Sequence, residues 1–121
     1  MSEDIGDELA KEICTVAGVV SCCLMTNEGS IIAMNGTDKQ EEFLTLNQIF
    51  VDLHTTTVNL GMGETASCIA KTRDGQVALI YCSGLSAKNH LHMAVIVGQA
   101  NSTALVDMKA PKMLAAWAEN L

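Results

Sequence analysis

Leu24-Met25-Thr26-Asn27-Glu28-Gly29-Ser30-Ile31-Ile32-Ala33-Met34-Asn35-Gly36 carries the strongest fold signal in the chain. The apolar run Val19 to Met25 meets three turn-forming residues, Asn27-Glu28-Gly29, and a second apolar run begins at once. Asn and Gly tolerate the positive φ that a tight reversal needs, so the segment reads as a hairpin with strands at Val19–Thr26 and Ser30–Asn35. A short acidic helix before it and a long amphipathic helix after it, with no catalytic motif nearby, point to a small binding platform rather than an enzyme.

Upstream, Asp4 to Val16 sets Ile5, Leu9, Ile13 and Val16 near helical spacing. Asp4, Asp7 and Glu8 crowd the end where the helix dipole favours negative charge, and Gly18 marks the exit. Downstream, Asp38 to Leu60 is the strongest helix signal. Asp38 with Glu41 resembles a capping box. Phe43, Leu46, Phe50, Leu53 and Thr57 form one stripe, which Leu44, Ile49, Val51 and Val58 broaden. That stripe is wider than one sheet face needs, so part of it is expected to meet another chain. Thr55-Thr56-Thr57-Val58 is poor helix material and should fray or bend the carboxyl end before Gly61 and Gly63 stop it.

Three more strands follow at Glu64–Thr72, Gln76–Ser83 and Leu91–Gly98. Arg73-Asp74-Gly75 joins the first two as a tight hairpin, and a loop from Gly84 to Asn89 joins the last two. The almost continuous apolar run Leu91 to Val97 implies a strand covered on both faces. Asn101-Ser102-Thr103 is positioned to cap a final helix carrying Leu105, Met108, Met113, Leu114 and Trp117, which Pro111 should kink or split. The order is α-β-β-α-β-β-β-α. It implies an α/β (α+β) three-layer sandwich, a five-stranded antiparallel sheet with helices on both faces, and one domain over residues 1–121.

Composition narrows the function. Phe43, Phe50, Tyr81 and Trp117 are the only aromatic residues, too few to stack flat ligands or bases. A net charge of −7, with seven basic residues against fourteen acidic, argues against nucleic acid and against an anionic membrane surface. The five cysteines, Cys14, Cys22, Cys23, Cys68 and Cys82, form no Cys-x-x-Cys. Cys22 and Cys23 would point to opposite faces of a strand, so buried free thiols in a reducing compartment are expected. The acidic amino terminus lacks the features of a signal peptide, and no apolar run approaches a membrane span of ~20 residues, so the expected location is cytoplasmic, without membrane insertion.

Candidate chemistry is sparse. His90 and His92 share one strand face and could form half a metal site, with Cys82 as a nearby thiol, but no third ligand follows at a recognised spacing. Ordinary edge or core histidines are the reading adopted, with no metal and no cofactor. His54 fits a solvated or interface role. Gly61-Met62-Gly63 lacks the strand and the Lys-Ser/Thr of a phosphate loop, and no nucleophile elbow is present. Arg73 is the only arginine, hence the sole candidate for an arginine finger, though a solvated turn residue is the simpler reading. Met25, Met34 and Met93 read as packing; Met62 reads as core filler that could adapt to a partner.

The chain resembles the roadblock family of dynein light chains and GTPase-associated subunits. The resemblance rests on Val16-Ala17-Gly18-Val19, on Leu24 to Ala33 with its Asn-Glu-Gly-Ser hairpin, on the long helix, and on Asp74-Gly75 in the later hairpin. It implies a non-catalytic dimer in which long second helices pair antiparallel and third strands join edge to edge. Carried over, the interface would use Ile49, Phe50, Leu53 and Thr57 of the helix, with Ala66, Ser67, Cys68, Ile69 and Ala70 of the strand. The implied partners are a second copy or a related roadblock chain, and a Ras-like small GTPase. A dynein-associated light chain linking motor to cargo is the next reading. A small-ligand sensor with a pocket near Tyr81, His90 and His92 is the third.

Overall fold

The computed structural model describes residues 2–84, 86–99 and 103–120. Its elements are α1 (Ser2–Cys14), β1 (Val19–Thr26), β2 (Ile31–Gly36), α2 (Gln40–Asn59), β3 (Ser67–Lys71), β4 (Val77–Cys82), β5 (Leu91–Val97) and α3 (Thr103–Asn120). The order is the one the sequence implies, and the strands form one antiparallel sheet in the order β2-β1-β5-β4-β3. Among the described residues no helix is long and apolar enough to cross a membrane.

The β1–β2 hairpin closes as its residues dictate. Thr26 N–H donates to the Ser30 carbonyl, Gly29 N–H donates to the Thr26 carbonyl, and Gly29 alone of the three loop residues has a positive φ, at +95°. Asn27 therefore contributes something other than an unusual backbone angle: its carbonyl accepts a hydrogen bond from Asn47 Nδ2 of α2 at 3.1 Å, which ties the turn to the helix.

β5 is central, so both of its faces are covered. Leu91, Met93, Val95 and Val97 join Cys22, Leu24, Leu79 and Tyr81 beneath α1 and α3. Ala94 joins Cys23, Met25 and Ile80 beneath Phe43 and Phe50 of α2. Adjacent Cys22 and Cys23 thus fall into different cores, and the five cysteines are free. Tyr81 points to the α1–α3 side, where its hydroxyl donates to Asp107 Oδ1 of α3 at 2.9 Å.

Several local expectations are corrected. Asp38 forms no capping box: the residue at the helix cap is Lys39 without a side-chain bond, and Asp38 Oδ1 instead accepts from Gln40 N–H one residue inside. The threonine run does not fray the carboxyl end of α2, which stays helical to Asn59. Thr55, Thr56 and Thr57 donate their hydroxyls to the carbonyls of Val51, Asp52 and His54, so each poor helix former is accommodated by its own helix. The helix then ends in paired bonds, Gly61 N–H to Val58 and Met62 N–H to Thr57, which occupy its last carbonyls. Pro111 does not divide α3, because it lies on the exposed side, where solvent can serve the carbonyl that loses its donor. Met62 is not core filler but 72 % exposed. Asn101 and Ser102 of the expected cap lie outside the described residues.

Candidate functional site

α2 meets the sheet along a single stripe, and this sorts its apolar residues into two sets. Phe43, Asn47 and Phe50 are buried, and His54 and Thr57 continue the same stripe half-buried. Phe50, expected at the interface, is only 1 % exposed and packs its ring edge-on against His92, with centroids 5.0 Å apart. It is a core residue of the single chain. The outward side keeps Ile49 at 54 % and Leu53 at 37 % exposed, with Leu44 and Val58 also exposed. This is the surplus breadth read in the sequence, and the protein's own sheet leaves it uncovered.

β3 is one of the two sheet edges, hydrogen-bonded only to β4, and β2 is the other, contacted by α1. Ser67, Ile69, Ala70 and Lys71 are exposed, Cys68 is half-buried against the α2-side core, and Ala66 just before the strand is exposed. Ile69, 46 % exposed, pairs with Leu79 and so faces the α1–α3 side, away from Ile49 and Leu53. Thr57 does not point outward: its hydroxyl is 2.7 Å from that of Thr65 and helps tie α2 to the segment entering β3. Arg73 is exposed in the β3–β4 turn.

A second feature lies at the end of the sheet beneath α2. A half-open cavity of about 250 Å³ is lined by Asn27, Phe50, Val51, His54, Cys82, His90 and His92. The sequence places His90 and His92 on one face; the pairing of Cys82 with His92 across β4 and β5 brings the thiol to the same place. Cys82 Sγ lies 3.2 Å from His90 Nε2, and the His90 and His92 rings meet edge-on with centroids 5.1 Å apart. Tyr81, expected near this pocket, faces the opposite side of the sheet.

The hydrogen bonds at His92 fix its tautomer. Asn47 Nδ2 donates to the Asn27 carbonyl, so Asn47 Oδ1 is the atom facing His92 Nδ1, at 2.6 Å. An amide oxygen accepts, so Nδ1 carries the proton and Nε2 presents a lone pair. That Nε2 is buried and has no hydrogen-bond partner. Burial, reinforced by His90 and His54, lowers the His92 pKa to about 4, so the ring is neutral at pH 7. Burial also lowers the pKa of His90, with His54 adding to the effect and Glu64 opposing it. Burial raises that of the Cys82 thiol, opposed by a bond from Gly84 N–H and reinforced by the Glu64 charge. His54 Nδ1 accepts from Thr65 N–H at 3.2 Å. Asn47, whose two bonds set up this end, is a residue that reading by apolar periodicity passes over; its only sequence signal is a polar residue in the buried stripe.

Comparison with known proteins identifies the fold. The chain is similar to the gliding protein MglB of Thermus thermophilus, with TM-score 0.79 and 14 % identity, covering 99 % of this chain and 93 % of that one. It is similar to Myxococcus xanthus MglB, with TM-score 0.80, 13 % identity and coverage of 98 % and 90 %. The Roadblock/LC7 domain from Streptomyces avermitilis gives TM-score 0.65, 16 % identity and coverage of 89 % and 97 %. The chain has a roadblock fold. No family model and no curated protein matches its sequence.

Proposed function

We propose that the protein is a non-catalytic scaffold that pairs with a second copy of itself through α2 and β3 and binds a Ras-like small GTPase. The observation that carries the reading is a pair of uncovered surfaces, the β3 edge and the outer side of α2, a helix that packs over the neighbouring strands β4 and β5. An edge strand with unpaired backbone groups lies beyond β4, and exposed Ile49 and Leu53 lie on the helix over the same half of the sheet. Edge pairing removes the unpaired groups, and helix pairing removes the apolar area from water. Ile49, Leu53, Ala66, Ser67, Ile69 and Ala70 are the contact residues of this pairing; Cys68 supports it from beneath. One structural neighbour is described as MglB with a tetrameric arrangement, which supports association through this fold.

The GTPase reading rests on the roadblock fold and its resemblance to GTPase-associated subunits, together with an acidic surface that suits neither nucleic acid nor anionic lipid. The test is titration calorimetry of the purified protein against a panel of Ras-like GTPases, each loaded with GDP and with a non-hydrolysable GTP analogue. Saturable binding to one nucleotide state is the expected result. No binding in either state across the panel would show that a Ras-like GTPase is not its partner.

A further inference from the structure

We propose that Cys82, His90 and His92 form a zinc-binding site with one open coordination position facing the cavity beneath α2. One ligand atom from each of the three residues lies within 4.8 Å of those of the others. A tetrahedral Zn²⁺ with nitrogen and sulfur bonds of about 2.1 and 2.3 Å sets its ligands roughly 3.3–3.6 Å apart. The 3.2 Å between Cys82 Sγ and His90 Nε2 already approximates that separation. One thiolate with two imidazoles is a borderline-soft donor set that suits zinc over magnesium or calcium.

The second observation is independent of proximity. His92 is 1 % exposed, and its Nε2 is buried among ligand-type groups with no partner. Thr103 Oγ1 and Trp117 Nε1 are the other buried side-chain atoms without a partner among the described residues. An indole nitrogen is only a donor and a hydroxyl can rotate, so His92 Nε2 is the one fixed lone pair awaiting a cation or a proton. Asn47 holds the ring in the tautomer that a metal requires, as a hydrogen-bonded partner does behind a ligating histidine. Gly84 N–H, 3.3 Å from Cys82 Sγ, is placed to stabilise a thiolate. Metal entry breaks the Cys82 S–H bond, releases one proton to solvent and forms one Zn–S and two Zn–N bonds without oxidation or reduction. His54 is left out of the ligand set, because its Nδ1 is engaged by Thr65 N–H. The fourth position opens to the cavity, where water would complete the coordination.

The test is Co²⁺ titration of the full chain after chelator treatment, read by absorption, with Zn²⁺ competition. The expected result is saturation at one ion per chain, with a thiolate-to-cobalt charge-transfer band and the intense d–d bands of a tetrahedral site, both abolished by one equivalent of Zn²⁺. Cys82→Ser should remove the charge-transfer band, and His90→Ala should weaken binding at least a hundredfold. Asn47→Ala should weaken it about tenfold to a hundredfold, because the ring is no longer oriented. Cys14→Ser, on the far side of the sheet, should leave the spectrum unchanged. Circular dichroism establishes that each variant is folded; should Cys82→Ser not fold, the wild-type spectrum and His90→Ala decide. Absence of the charge-transfer band in the wild-type protein, or binding undiminished in His90→Ala, overturns the site.

Discussion

Gly36 shows how much a single residue can decide. It ends β2 with φ +90°, and a Cβ there would fall on the Val20 carbonyl oxygen and within 2.8 Å of Ser21 Cα. Neither atom can move without opening the β1–β2 ladder at its Ser21–Gly36 rung. Gly36→Ala should therefore cost about 3 kcal/mol or more, combining a left-handed backbone penalty with a backbone clash. Urea unfolding measures this; a loss below about 1 kcal/mol would show that the hairpin end relaxes freely. Asn47 is the residue least legible in the sequence. A polar residue inside an apolar stripe gives no clue to which carbonyl it will hold, and here it holds one from a turn twenty positions earlier in the chain. Cys82 is likewise ambiguous, because its distance from His90 depends on the β4–β5 register, which a single sequence does not display.

At the scale of elements the sequence is far more informative, because periodicity reports burial directly. The hairpin, the doubly covered β5 and the helix stops are all present in the pattern of apolar and turn residues. What the pattern does not do is divide the broad stripe of α2 into inner and outer halves. Periodicity groups Phe50 with Ile49 and Leu53, yet the angular position of one helical step sends it into the core. That division makes a prediction about α2. Ile49→Glu replaces an exposed apolar side chain and leaves Phe43 and Phe50 untouched, so the fold should survive, with thermal stability of the isolated chain altered by no more than about 0.5 kcal/mol. Self-association should weaken by at least two orders of magnitude in sedimentation equilibrium, because a charge would be buried against its own symmetry mate. Phe50→Ala should do the reverse, losing roughly 3–5 kcal/mol of stability through a core cavity. Equal effects of the two substitutions on association would mean that α2 does not pair by its outer side.

Across the whole molecule, a core poor in aromatics and rich in thiols sets the pH response. Burial raises the Cys22 pKa strongly, and it pushes that of Cys23 up to about 12. Tyr81 is raised too, first by burial and then by its bond to Asp107. In the unfolded chain the thiols ionise near pH ~8.5, so above that pH the unfolded state has released protons that the folded state retains. Stability conferred by these groups is thus complete below about pH 8.5 and falls as pH rises, by about 1.4 kcal/mol per pH unit for each retained thiol. Urea midpoints across the alkaline range, starting from neutral pH, check this, and Cys23→Ala should flatten the decline. A midpoint independent of pH over that range would show that the thiols are solvated.

The β3 edge and the outer side of α2 are both uncovered, and the proposed function stands on their being joined to a second copy. The direct measurement is the solution mass of the purified chain by light scattering behind a sizing column. The expected mass is twice that of the 12.8 kDa chain, reduced to 12.8 kDa by Ile49→Glu. A wild-type protein that elutes as a stable 12.8 kDa monomer at high micromolar concentration would contradict it.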